Sequence, residues 1–82
     1  MIEVKETTYE VDGSVEPCFE VTDGYTLVRI APFYHYYGRT TILITEYLGG
    51  EFNSSDDWDL AWDYVEESEA KEIAINYSAY LR

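Results

Sequence analysis

Ser54–Glu72, SSDDWDLAWDYVEESEAKE, packs eight carboxylates and both tryptophans into nineteen residues, and its reading decides the fold. Ser54 and Ser55 can accept hydrogen bonds from the free amides of a first helical turn. Asp56, Asp57 and Asp59 then sit where the positive end of a helix dipole favours anions, so a helix is expected from Asp56. At about 100° per residue, Trp58, Ala61, Trp62 and Val65 fall on one stripe, and Asp56, Asp59, Asp63, Glu66 and Glu67 fall on another. Lys71 is the one base in the stretch, so the carboxylates repel one another at a cost of a few tenths of a kcal/mol per close pair. Two readings follow: a solvated acidic face, or a face that meets a basic surface on another molecule.

Past Ser68 the apolar stripe shifts to Ala70, Ile73, Ala74, Tyr77 and Leu81. The first helix is therefore expected to end near Glu67, with a second helical segment from about Glu69 to Tyr80 on the same sheet. A competing reading takes Ile73, Ile75, Tyr77 and Ala79 as the inner face of a final strand.

Working back toward the N-terminus, the chain alternates strand and turn signals. Ile2–Asp12 mixes Val, Thr and Tyr with acids and ends at Asp12-Gly13. Glu16–Val21 puts Phe19 and Val21 on one face and Cys18 and Glu20 on the other, ahead of a second turn at Asp23-Gly24. Tyr25–Ala31 is too continuously apolar for an exposed face and reads as a central strand ended by Pro32. Thr40–Leu48, rich in β-branched residues, is the strongest strand and is closed by Gly49-Gly50. The expected architecture is α+β: a four-stranded antiparallel meander, with one face covered by a C-terminal acidic helical region whose Trp58, Trp62 and Val65 peg into the sheet.

Eighty-two residues are expected to form a single domain, residues 1–82. An apolar fraction of 46%, with nine tyrosines, argues against disorder despite a net charge of -12. Residues 1–23 carry seven acids and Lys5, residues 24–45 carry two arginines and no acid, and residues 46–72 carry ten acids and Lys71. Direct nucleic-acid binding, which needs clustered bases, is disfavoured, as is attraction to an anionic membrane surface. One cysteine, Cys18, allows no internal disulfide and suits a reducing, cytoplasmic setting. The N-terminus has no secretory pattern, and no apolar run approaches a membrane span.

Carboxylate pairs such as Asp56 with Asp59 are plentiful, yet no phosphate loop, nucleophile elbow or Cys/His ligand pair accompanies them, so no enzyme, cofactor or metal is expected. His35 and Cys18 are too few for zinc, and the acidic stretch has no glycine for a calcium loop. The loop Phe33-Tyr34-His35-Tyr36-Tyr37-Gly38 is a second feature. It is either folded back as core or an exposed anchor in which Tyr34, Tyr36 and Tyr37 meet a protein partner.

If the first strands and the acidic helix are neighbours, their carboxylates form one extended anionic surface. Within the helix, Asp59, Asp63 and Glu67 would rise about 6 Å per step, close to phosphate spacing. Such a row could occupy the Lys and Arg groove of a nucleic-acid-binding protein. DDWDLAWDYVEESE, together with Glu3, Glu6, Glu10, Asp12, Glu16 and Glu20 in so short a chain, resembles the phage-encoded DNA-mimic inhibitors, above all the anti-CRISPR proteins. The resemblance is one of size and charge profile, with no shared motif. It implies a stoichiometric inhibitor in a bacterial cytoplasm that blocks target-DNA recognition by a Cas effector. The partner-binding residues expected on these grounds are Asp56, Asp57, Asp59, Asp63, Glu66, Glu67 and Glu69, with Tyr34, Tyr36 and Tyr37. The alternative is a small acidic adaptor or structural module that binds a protein through the tyrosine loop or a strand edge.

Overall fold

Alternating residues and tight turns build most of the molecule, which the computed structural model describes over residues 1–82. Five strands, β1 (Glu3–Val11), β2 (Ser14–Thr22), β3 (Thr26–Tyr34), β4 (Thr40–Leu48) and β5 (Glu51–Trp58), form one antiparallel meander in sequence order. A 3-10 turn at Trp62–Tyr64 and the helix α1 (Glu67–Tyr77) follow. The α+β class and the four expected strands are present, but the strand count is five rather than four.

The fifth strand overturns the helix expected from Asp56 to Glu67. Gly49 and Gly50 have φ of 57° and 84°. Those paired left-handed conformations match the two-residue turn that suits the twist of a hairpin. The turn does more than close β4: it sends Glu51–Trp58 back along the free edge of β4, from Leu48 opposite Glu51 to Ile42 opposite Trp58, with a bulge beside Glu46 and Tyr47. Ser54 and Ser55 consequently cap nothing. The Ser55 hydroxyl donates to the Ile44 carbonyl at 3.1 Å, and the Ser54 and Tyr77 hydroxyls share a hydrogen bond of 2.8 Å. Strand geometry also removes the i,i+3 approach of Asp56 to Asp59 that a helix would impose, because Asp56 lies within β5 and Asp59 beyond its end.

Pro32 does not end β3, which continues to Tyr34 and stays paired with β4 to Thr40. It limits the other side of that strand. The ladder between β2 and β3 runs from Thr22 opposite Leu27 to Phe19 opposite Ile30 and stops short of both Pro17 and Pro32, neither of which has an amide to donate. Beyond that point the β1–β2 hairpin is held by its own ladder, down to Val11 opposite Ser14.

The second expected helical segment exists, though it runs Glu67–Tyr77 rather than Glu69 to Tyr80, and the strand reading of residues 73–79 does not hold. Helix α1 buries Ala70, Ile73 and Ala74 against β1, β2 and β3. Its start is tied by the Glu66 amide donating to Glu69 Oε1 at 3.3 Å, and its last carbonyls, on Ile75 and Asn76, accept from the Arg82 guanidinium at 3.0 and 2.6 Å. A basic group there also opposes the negative end of the helix dipole. Phe19, Val21, Val28, Ile30, Ile42 and Ile44 supply the sheet side of the core. Trp58 and Trp62 pack against it, and Val65 is buried in it, as expected, though from a strand end and a turn rather than from a helix.

The other sheet face carries no helix. There Arg29 lies between the rings of Tyr9 and Tyr47, with its guanidinium carbon 4.7 and 5.4 Å from their centroids, and pairs with Glu20 at 3.2 Å. Burial works against the Arg29 charge, but Glu20 and Tyr47 more than restore it and hold the group above its usual pKa. The same burial pushes the Cys18 thiol up, with the Glu20 charge adding to it. Cys18 is fully enclosed.

Candidate functional site

Of the seven expected acids, the five expected on one helical stripe, Asp56, Asp59, Asp63, Glu66 and Glu67, do not share a helical face. Asp56 stands opposite Ile44 and Asp57 opposite Leu43, which places them on different sides of β5. Asp59 follows the strand, Asp63 lies in the 3-10 turn, Glu66 precedes α1, and Glu67 and Glu69 belong to its first turn. The row of Asp59, Asp63 and Glu67 at phosphate spacing therefore does not form, because its residues span coil, turn and helix. Glu69 is turned to local work, accepting from the Glu66 amide and, at 2.6 Å, from the Ser68 hydroxyl.

What the structure does bring together is the acidic stretch and the tyrosine loop. Asp59 pairs with Arg39, at the far end of the β3–β4 loop. Asp57, Trp58 and Asp59 line a cavity of about 200 Å³ with His35, Tyr37 and Arg39. The loop is stiffened rather than folded into the core. Gly38 at φ 87° lets it turn, its amide donates to the His35 carbonyl at 3.0 Å, and the His35 amide donates to the Arg39 carbonyl at 2.9 Å. The rings of Phe33, His35 and Tyr37 stack at centroid distances of 4.8 and 5.2 Å, while Tyr36 meets Tyr37 edge-on and is wholly exposed. His35 Nε2 shares a hydrogen bond of 2.8 Å with the Thr41 hydroxyl. The Tyr34 hydroxyl donates to Glu16 at 2.8 Å, and that bond to a carboxylate raises its pKa.

A second concavity opens at the end of the molecule where the β2–β3 ladder stops. It measures about 510 Å³ and is lined by Glu6, Thr8, Pro17, Phe19, Trp62 and Asp63 among others. Glu6 stands opposite Phe19 across β1 and β2, and the Phe19 ring lies 5.7 Å from that of Trp62. The first strands and the acidic stretch are thus neighbours here, with Glu6 and Asp63 on one groove. Glu6 was not among the expected partner-binding residues. The pair of prolines that ends the ladder is the sequence signal that points to the opening.

Charge on this surface is barely compensated. Of seventeen acidic side chains, Glu20 and Asp59 take part in ion pairs. No three His, Cys, Asp or Glu side chains converge as a metal site would require, and no helix is long and apolar enough to cross a membrane. No protein-family model matches the chain, and no curated protein and no solved structure matches it either.

Proposed function

We propose that the protein is a non-enzymatic inhibitor that presents nucleic-acid-like charge to the basic DNA-binding groove of another protein, a CRISPR-Cas effector being the target class its profile implies. One observation carries this reading: fifteen of seventeen acids stand without an ion-pair partner. Each close carboxylate pair weakens the fold, and a basic partner would relieve that repulsion on docking. Asp56, Asp57, Asp63, Glu66 and Glu67 are exposed and available. They act as a distributed anionic surface rather than as a phosphate-spaced row.

Capture of partners by the immobilised protein, from a bacterial lysate containing CRISPR effectors, tests the proposal. A nucleic-acid-binding protein should be retained, elute at moderate salt and be displaced by duplex DNA, because the contacts replace those of phosphates. Combined Asp56→Asn, Asp57→Asn, Asp63→Asn and Glu67→Gln should abolish retention. A partner that resists salt and ignores DNA refutes it. That result would favour the second reading, an adaptor docking through the tyrosine loop, which the full exposure of Tyr36 at the tip of a stacked ring ladder supports. Loss of retention in Tyr36→Ala, with little salt dependence, is its mark.

A further inference from the structure

We propose that the groove between the β1–β2 hairpin and the Trp62–Tyr64 turn receives an arginine side chain from the protein partner. The inference rests on the acidic surface being a docking face for a basic protein, and it names the subsite where one residue of that partner is held. Three properties of the groove point to a guanidinium. The groove is open to solvent and, at about 510 Å³, admits the end of a long side chain. Trp62 and Pro17 give it an aromatic and apolar wall, backed by the buried Phe19 ring 5.7 Å from that of Trp62, and a planar cation stacks on an accessible ring. Glu6 and Asp63 also line the groove, exposed and without a cationic partner, from two separate elements.

Charge sets the occupant. A second copy of this chain would bring a net charge of -12 and is repelled. An apolar side chain would cover the wall but bury two carboxylates without partners, which disfavours it. Lysine could meet the carboxylates as a point charge, but it lacks the planar fork that can bond both while lying flat on a ring.

The test uses the intact chain and short blocked tripeptides, Gly-Arg-Gly and Gly-Lys-Gly, followed by two-dimensional NMR. The arginine peptide should shift the Trp62 indole N–H and the amides of Glu6, Thr8 and Asp63 saturably. The lysine peptide should bind several-fold more weakly. The Trp58 indole, which lies against Tyr77 at 6.1 Å, should not move. Glu6→Gln with Asp63→Asn, both at exposed positions, should weaken arginine binding about tenfold while leaving the spectrum otherwise dispersed. Shifts spread over all acids with none at Trp62, or binding unchanged in the double variant, overturn the proposal. The docking reading fails separately. If the peptide binds in the groove but duplex DNA does not displace the captured partner, the inhibitor assignment falls and the groove stands. If DNA displaces the partner and the groove variants bind it as wild type does, the groove falls alone.

Discussion

Glu46 should be a residue whose removal strengthens the protein. It lies on the helix-covered face of β4, opposite Val28 on β3 and Ser54 on β5, and is 3% exposed. Oε1 accepts from the Asn53 amide at 2.7 Å, while Oε2 is enclosed and has no partner. An unsatisfied buried polar atom costs about 1–3 kcal/mol, and more if it carries charge. Glu46→Met keeps similar volume and removes that atom. Asn53, which is exposed, can turn its freed amide to water. The expected gain is about 1 kcal/mol, or roughly 4–8 °C in Tm for a chain of this size. Asn53→Ala does the reverse, taking away the one hydrogen bond to the carboxylate at a cost of about 1.5–3 kcal/mol. In the Glu46→Met background that cost should vanish, so a double-mutant cycle read by urea unfolding gives a coupling of the same size. A less stable Glu46→Met, with Asn53→Ala costing the same in both backgrounds, would refute the reasoning.

Two further perturbations test the turns. At Gly49 a Cβ would stand 2.9 Å from Cε1 of Tyr25, on top of a left-handed φ of 57°, whereas at Gly50 it meets open space; thermal melts should show Gly49→Ala losing about 1–2 kcal/mol and more than Gly50→Ala, with Tyr25→Ala narrowing the gap. Asp23 Oδ1 accepts from the amides of Thr26 at 2.8 Å and Tyr25 at 3.0 Å, and those bonds lower its pKa. A depressed folded value stabilises above the unfolded pKa of about 3.9 and is lost as pH falls through the folded one; the deficit of Asp23→Ala in urea midpoint should be constant near neutrality and shrink below about pH 4, and a deficit that grows on acidification contradicts this.

The four N-terminal strands were legible because periodicity and turn chemistry agreed. Asp12-Gly13 sits between Val11 and its opposite Ser14 with φ of 49° and 83°, a geometry that Asp tolerates and that Gly, lacking a Cβ, adopts freely. β5 was not legible by the same route. As an edge strand it needs no apolar face: Glu51, Asp56 and Asp57 guard a free edge against pairing with other chains, and Trp58 alone supplies a large core contact. Serines followed by aspartates read as a helix cap for the same reason that they suit an exposed edge, since both settings leave polar side chains near free amides. Gly49-Gly50 was the discriminating signal, because two glycines between a strong strand and an extended polar run form a hairpin turn. By contrast, the stripe through Ala70, Ile73, Ala74 and Tyr77 survived as one face of α1, while Leu81, expected on the same stripe, is buried from beyond the end of the helix.

For the candidate site, composition was the durable part and geometry the fragile one. Spacing along a helix carries no weight once Asp56 and Asp57 alternate across a strand and Asp63 sits in a turn. Uncompensated charge does not depend on that assignment. Of the five bases, Arg29 is engaged by Glu20 and Arg39 by Asp59, which leaves Lys5, Lys71 and Arg82, the last bonded to neutral carbonyls of α1, to offset the remaining field. A uniform field gives attraction without selectivity, so selectivity has to come from shape. The fold offers two shaped places within that field: the cavity where Asp57 and Asp59 adjoin His35 and Tyr37, and the groove that Glu6 and Asp63 line together with Phe19 and Trp62. Both lie where a strand ladder gives way to a turn or loop. In each, an aromatic ring is held beside carboxylates from another element, an arrangement that charge alone would not produce and that a basic partner could read.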